Sequence, residues 1–294
     1  MGFNIQTVIS IEITVFFMSI RLISFVLTLL SAPAFSQSEF NAMTFNIRYN
    51  NPGDGINQWD NRKHLVAQTI QYYEADFVGL QEATKVQVEY LANQLSEFEW
   101  KGVGRDDGKE GGEYSPLFFR KDKFDLLNWK TLWLSETPGE PSKSWDAALP
   151  RIATFAWLKS KDDGRKILVI NTHYDHMGVK ARENSSALLI REINQIKEDL
   201  PVILMGDFNS TPEKKTIQMI TEGGLFNTQY ISKQPHYGPF YTFNGFKEKE
   251  QPDTNIDHIF VTPNIEVLKH ASLSNTWEGR FASDHYAVIA KIKI

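Results

Sequence analysis

Short, dense apolar runs alternate with amphipathic stretches along most of the chain. "FNAMTFNIRY" from Phe40, "ADFVGLQEA" from Ala75, "KILVINTHY" from Lys166 and "PVILMGDFN" from Pro201 are nearly unbroken and end on polar residues. Runs of this length and composition read as strands buried on both faces. "YSPLFFRK", "DLLNWKTLWL", "RIATFAWLKS", "NIDHIFVT", "IEVLKHASL" and "SDHYAVIAKIKI" add further strands. Three segments carry a helical period instead. "RKHLVAQTIQYY" puts Leu65, Thr69, Ile70 and Tyr73 on one face, "KVQVEYLANQLSEF" turns Val88, Leu91 and Leu95 inward, and "ENSSALLIREINQIKEDL" aligns Leu189, Ile193 and Ile196. Many strands and few helices predict an α/β protein of two packed sheets covered by helices, rather than a strictly alternating parallel sheet.

The chain has 294 residues, 41% of them hydrophobic, and no cysteine. That length and apolar content support one large domain stabilised by core burial, with no disulfides. A net charge of −5 gives no bulk attraction to nucleic acid or anionic membrane. Residues 1–36 stand apart: only Glu12 and Arg21 are charged, and an apolar run from Leu22 to Leu30 precedes small residues at Ala32, Ala34 and Ser36. This pattern predicts a secretory signal cleaved after Ala34 or Ser36, with Met18 as the expected true start and a periplasmic or secreted product. The competing reading is a membrane anchor. Residues 37–294 then form the single functional domain, expected to be monomeric and without an obligate protein partner.

Polar residues cluster at strand ends. Asn46, Glu82, His173, Asp207 and Asn209 close apolar runs, whereas Asp257 opens "DHIFV" and Asp284 with His285 opens "DHYAVIAKI". If the last two strands run opposite to the earlier ones, all these groups meet on one rim. Taken singly each has an ordinary explanation: Glu82 complements a helix N-terminus, Asp207 and Asn209 make a turn, His285 is a satisfied core histidine. Taken together they supply the parts of metal-assisted hydrolysis. Carboxylate and amide oxygens suit Mg²⁺ or Mn²⁺, a carboxylate-held histidine suits general acid–base work, and Asn209 with a protonated His173 can donate to phosphate oxygens.

"TFNIR", "GLQE", "NTH", "GDFNS", "IDHIF" and "SDH" occur in the order found in the endonuclease/exonuclease/phosphatase superfamily, which is similar to DNase I and the apurinic endonucleases. The resemblance spans about Phe40 to Ile294 and implies a four-layer α/β sandwich of two mostly antiparallel sheets, with the active site at one end. It implies metal ligation by Asn46, Glu82 and Asp284. It also implies an acid–base His285 paired with Asp257, a water-orienting or leaving-group-assisting Asp207, and phosphate contacts from His173 and Asn209. "VGRDDGKEGGEYSPLFFRK", "WLSETP", "WDAALPRIATFAWL" and "THYDHMGVKAR" resemble exported bacterial members related to the carbon catabolite repressor-type deadenylases and nocturnin. They add Arg105, Glu113, Tyr114, Trp145, Asp146, Arg151, Asp175, His176 and Arg182 as candidates. Tyr114 reads either as a substrate contact or as core. Arg151 binds phosphate or pairs with Asp146, and Trp145 either stacks on a base or sugar or anchors its loop. The implied activity is a divalent-metal-dependent phosphoesterase acting on nucleic acid, a phosphorylated sugar or inositol, or a phospholipid headgroup. The alternative is a non-catalytic phosphate- or glycan-binding module on the same fold.

Overall fold

The computed structural model describes residues 38–196, 199–249 and 251–294. The expected signal segment, residues 1–36, lies outside them. Fourteen strands form two six-stranded sheets and one short ribbon among the described residues. The first sheet contains β1 (Glu39–Asn46), β2 (Phe77–Gln81), β3 (Phe98–Lys101), β4 (Leu117–Arg120), β11 (Glu266–Leu273) and β14 (Ala287–Lys293), in the order β11-β14-β1-β2-β4-β3. The second contains β5 (Phe124–Trp133), β6 (Ile152–Ser160), β7 (Lys166–His173), β8 (Val202–Asp207), β9 (Phe226–Asn227) and β10 (Asp257–Val261), in the order β5-β6-β7-β8-β10-β9. β12 (Thr276–Trp277) and β13 (Arg280–Phe281) make the ribbon.

Each sheet has one parallel pair at its centre, β1 with β2 and β7 with β8, and every other pairing is antiparallel. A parallel pair needs a crossover, and helices α1 (Trp59–Tyr72) and α3 (Val179–Asn194) provide one each. β10 runs antiparallel to β8 and β14 antiparallel to β1. The starts of β10 and β14 therefore sit beside the ends of β1, β2, β7 and β8, as the strand-end pattern required.

Strand periodicity explains the four layers. In β8, Ile203 and Met205 face the other sheet, while Val202 and Leu204 face the helices. In β1, Phe40 and Ala42 point between the sheets, while Met43 and Phe45 pack under α1 and α2 (Lys85–Gln94). Both faces of the central strands are buried, which is why their sequences are nearly unbroken apolar runs.

Three boundaries differ from expectation. α2 stops at Gln94, and Phe98 instead opens β3, paired to β4. α3 begins at Val179 rather than Glu183 because its free N–H groups are capped from a distant loop: Asp146 accepts from Lys180 and Ala181 at 3.1 and 2.7 Å. It ends at Asn194, short of residue 200. The helix α4 (Lys215–Glu222), despite the amphipathic spacing that buries Thr216, Ile217 and Ile220, and the short turn of helix α5 (Thr228–Ile231) were not expected.

Candidate active site

The row of side chains facing between the sheets ends in polar groups. Ala42, Thr44 and Asn46 alternate along β1, Ile203, Met205 and Asp207 along β8, and Val169, Asn171 and His173 along β7. Apolar residues fill the row up to the rim, where the last position of each strand meets its counterparts. Asn46 and Asp207 thus approach from opposite sheets, and the Asn46 amide donates to Asp207 Oδ2 at 2.9 Å and to Glu82 Oε1 at 3.1 Å.

Backbone geometry aims the remaining groups. Arg48, Glu82 and Asn209 all have positive φ, at 55°, 61° and 47°. Asn tolerates this left-handed region; Arg and Glu adopt it at a cost of order 1 kcal/mol each, a strain typical of functional sites. Gly206 is required for a different reason. A Cβ there would lie 2.1 Å from the Thr172 carbonyl oxygen, so only glycine lets β8 press against β7 where His173 pairs with Asp207.

These groups surround a cleft of about 790 Å³. Asp257, 28 residues away in sequence, pairs with the cleft-lining His285, whose Nδ1 lies 2.8 Å from Asp257 Oδ2. His285 Nε2 consequently faces Asp207 Oδ2, 4.0 Å away. Burial alone would lower the His285 pKa, but Asp257, Asp207 and Asp284 outweigh it and hold the imidazolium above its ordinary range. Asp207 is raised, first by burial and then by the neighbouring Asp257 charge. His173 behaves oppositely: burial and then Arg151 keep it neutral, so it is not the protonated donor expected from sequence. Arg151 has no lone pair to accept with, so its Nη1 donates to His173 Nδ1 at 3.0 Å. The same Nη1 lies 3.2 Å from Nε2, and Asn209 Nδ2, also a donor, lies 3.2 Å from it, while Asp207 Oδ2 is 3.5 Å away.

The donors fit a hard divalent cation. Glu82 and Asp284 line the cleft 3.9 and 3.8 Å from the Arg48 guanidinium, and burial raises the Asp284 pKa. Ligand atoms of Asp207, Asp257 and His285 also lie within 4.8 Å of one another, but an imidazolium has no free lone pair, which leaves Asn46, Glu82 and Asp284 as the metal donors. Asp257 Oδ1 is buried without a hydrogen-bond partner, an orphaned acceptor consistent with a missing cationic or protic neighbour.

The structure gathers Asn46, Glu82, His173, Asp207, Asn209, Asp257, Asp284 and His285 at one rim, and Arg151 and His176 join them. Glu113 also lines the cleft, whereas Arg105, Tyr114, Trp145, Asp146, Asp175 and Arg182 fall outside its lining. Tyr114 is buried in the core beneath α1 and α2, its hydroxyl donating to Lys109 O at 3.0 Å. Arg105 grips Glu113 with two hydrogen bonds of 2.7 and 2.9 Å, and it is Glu113 that reaches the cleft. Arg182 Nη1 donates to Asp175 O at 2.9 Å, which ties down the loop ahead of α3. Trp145 is half-buried and does not line the cleft. Arg151 pairs with Asp175 at 3.5 Å rather than with Asp146, whose carboxylate is taken up by the α3 cap.

Sequence reasoning missed Tyr49, Asp54, Leu149, Phe243, Phe246 and Ile256, all of which line the cleft. The clearest lost signal was the aromatic density of "HYGPFYTFNGF", unusual in a loop rich in glycine. Thr242 in that loop accepts from the backbone of Ile256 and Asp257, and Asn244 and Gly245 donate to Asp284 O. The loop is thereby fixed to both acidic strand starts, and Phe243 packs edge-on to His285 with ring centroids 5.1 Å apart.

Comparison with known proteins agrees with this geometry. A structure from Bacteroides vulgatus described as an endonuclease/exonuclease/phosphatase is 38% identical, covers 88% of this chain and 100% of its own, and superposes with a TM-score of 0.84. A mannosyl-6-phosphatase of Bacteroides thetaiotaomicron is 36% identical, with 86% and 99% covered and a TM-score of 0.83. Nocturnin of Drosophila melanogaster is 22% identical over 80% of this chain and 42% of its own length. The chain spans about half or less of nocturnin and of the Ccr4 and 2',5'-phosphodiesterase 12 relatives it matches. The sequence pattern of the Endonuclease/Exonuclease/phosphatase family matches residues 43–285, from within β1 to the histidine of the buried pair, and the chain belongs to that family.

Proposed function

We propose that the protein is an exported, Mg²⁺- or Mn²⁺-dependent phosphoric ester hydrolase whose substrate is a compact phosphorylated sugar. The observation that carries the hydrolase reading is the Asp257–His285 pair facing Asp207 at the floor of a carboxylate-lined cleft. The metal would be held by Asn46, Glu82 and Asp284, where it would polarise a phosphoryl oxygen and steady the leaving oxygen. Asn209 donates to phosphoryl oxygens, and His173 contacts them beside it. Arg151 stands behind His173 and fixes its ring. His285, held cationic by Asp257, donates from Nε2 to the developing charge on the phosphoryl group. Asp207 orients the attacking water and takes its proton. The complete set of carboxylates, amides and paired histidine favours catalysis over a non-catalytic phosphate- or glycan-binding role.

The choice of sugar phosphate rests on charge. Among the described residues the cleft lining contains five carboxylates, Asp54, Glu82, Glu113, Asp207 and Asp284, against the cations Arg48, Arg151 and the paired His285. Arg48 is engaged by Asp54 at 3.0 Å and Arg151 by Asp175 and His173. A nucleic-acid strand is held mainly by cations along its phosphates, and no such track lines this cleft. The 36% identical mannosyl-6-phosphatase supports the same class.

The test is a phosphoester panel with added Mg²⁺. Mannose 6-phosphate turns over, and turnover disappears with EDTA and in Asp207→Ala and His285→Ala. A higher kcat/KM on oligonucleotides than on every sugar phosphate overturns the substrate choice. Export is tested separately by recovering a mature N-terminus following Ala34 or Ser36 from the periplasm or medium.

A further inference from the structure

Beside the cleft lies a second depression of about 250 Å³, whose lining includes Glu213, Tyr230, Phe240, Tyr241, Asp253 and Asn255. Three chain segments run directly from one to the other. Asn209 lines the cleft and Thr211 the groove, Phe243 the cleft and Tyr241 the groove, Ile256 the cleft and Asn255 the groove. The groove therefore borders the cleft across these three segments.

The groove presents large rings to water. Tyr230 is 64% exposed and Phe240 66% exposed. Single exposed aromatics need no explanation, but here two border one concave site and Phe240 is held in place from behind. The His236 ring packs against Phe240 with centroids 4.8 Å apart. His236 Nε2 donates to Pro239 O at 3.1 Å, which leaves its Nδ1 to accept from His270 Nδ1 at 2.8 Å. Both histidines are satisfied as single tautomers, so the ring beneath Phe240 has little freedom to turn. The exposed face is a preformed platform.

Around the platform stand acceptors and an amide. Thr211 hydrogen-bonds Glu213, and Asn255 Nδ2 donates to Gln229 Oε1 at 3.0 Å, leaving its carbonyl oxygen available. Among the described residues, the groove lining includes Glu213 and Asp253 and no lysine or arginine. Flat apolar rings flanked by carboxylate and amide groups suit a sugar ring, whose C–H face stacks while its hydroxyls donate. The same walls repel a phosphodiester backbone, although the rings alone would accept a base.

We propose that this groove is a saccharide subsite that holds uncharged sugar units attached to the phosphorylated sugar in the cleft, so that the natural substrate is a phosphorylated oligosaccharide. The inference deepens the sugar-phosphate reading above and rests on it for what occupies the cleft.

Two measurements test it. The first is binding of mannotriose, which carries no phosphate, to the wild type, Tyr230→Ala and Phe240→Ala, followed by NMR titration or calorimetry without added metal. The wild type binds, and each variant binds about tenfold more weakly, the scale of losing one stacked ring with its buried area. The second is the ratio of kcat/KM for a mannotriose carrying a terminal 6-phosphate to that for mannose 6-phosphate. The ratio exceeds one in the wild type and falls about tenfold in each variant, through KM. Thermal midpoints confirm that both exposed substitutions fold. Absence of mannotriose binding to the wild type overturns the proposal. So does a single-stranded oligonucleotide that binds the wild type and loses affinity in both variants while mannotriose does not bind. A wild type that hydrolyses no sugar phosphate yet binds mannotriose in a Tyr230- and Phe240-dependent way supports the groove and sinks only the activity assigned to the cleft.

Discussion

The amide of Asn46 reaches across from one sheet to donate to Asp207 Oδ2 of the other at 2.9 Å. The same amide donates to Glu82, so one side chain joins three strands at the rim. Two carboxylates that would otherwise repel are held by a shared donor, and Asp207 is aimed at the cleft. Asp207→Asn keeps the shape and removes the proton acceptor. Its kcat falls by about 10²–10⁴ with little change in KM, the range for losing a general base. Steady-state kinetics on p-nitrophenyl phosphate check this, and retention of a third of the wild-type kcat would remove Asp207 from the mechanism.

Asp257 is buried with His285 and holds it cationic. Asp257→Asn keeps a hydrogen-bond acceptor but deletes the charge that raises the imidazole. Burial then dominates and the His285 pKa falls. If protonated His285 is the active form, the alkaline limb of kcat/KM moves to lower pH in the variant. A pH–rate profile with an unmoved alkaline limb assigns that limb to another group.

The rim was legible in the sequence because strand periodicity is rigid. Once Ile203 and Met205 face inward, Asp207 must follow, and the same holds for Asn46 and His173. Polarity then needed only the antiparallel return of β10 and β14. What stayed hidden depends on contacts between distant segments. Asp146 caps a helix 33 residues away, and no local pattern announces it. Tyr114, read either as a substrate contact or as core, and Arg182, a candidate through its motif, are both tied to backbone. Their partners, Lys109 O and Asp175 O, are backbone groups that sequence does not show. The aromatic loop around Phe243 was missed because it has neither strand nor helix period.

Arg62 is a second such residue. It is fully buried in α1 and donates to Asn57 O, Ile47 O, Arg48 O and Ala282 O at 2.8, 2.5, 2.9 and 3.1 Å. Those carbonyls belong to the loop after β1 and the loop before Asp284, so one guanidinium sets the spacing of two site-bearing segments. Burial lowers its pKa to about 10, still cationic at neutral pH. Arg62→Met strands several buried carbonyls at about 1–3 kcal/mol each, and stability falls by at least about 3 kcal/mol. Urea unfolding measures the loss. Arg62→Lys recovers part of it, since an ammonium satisfies fewer of the four acceptors. Equal stability in wild type and Arg62→Met sinks this role.

Acid sensitivity has a separate origin in His270. Burial and then the neighbouring His236 lower its pKa from 6.5 to about 3, so the folded protein holds it neutral. The unfolded chain protonates it near 6.5. A depressed folded value means that stability is intact above pH 6.5 and drains away as the pH falls toward 3. Between pH 7.5 and 5.0 the unfolded state gains a proton that the folded state refuses, which costs about 2 kcal/mol. His258 is also lowered by burial and adds to the same slope. His270→Gln removes the titrating group while leaving an amide able to donate to His236. The variant is less stable than wild type at pH 7.5, yet loses about 2 kcal/mol less on acidification to pH 5.0. Urea unfolding at the two pH values checks the difference, and parallel losses in wild type and variant would falsify the assignment of this slope to His270.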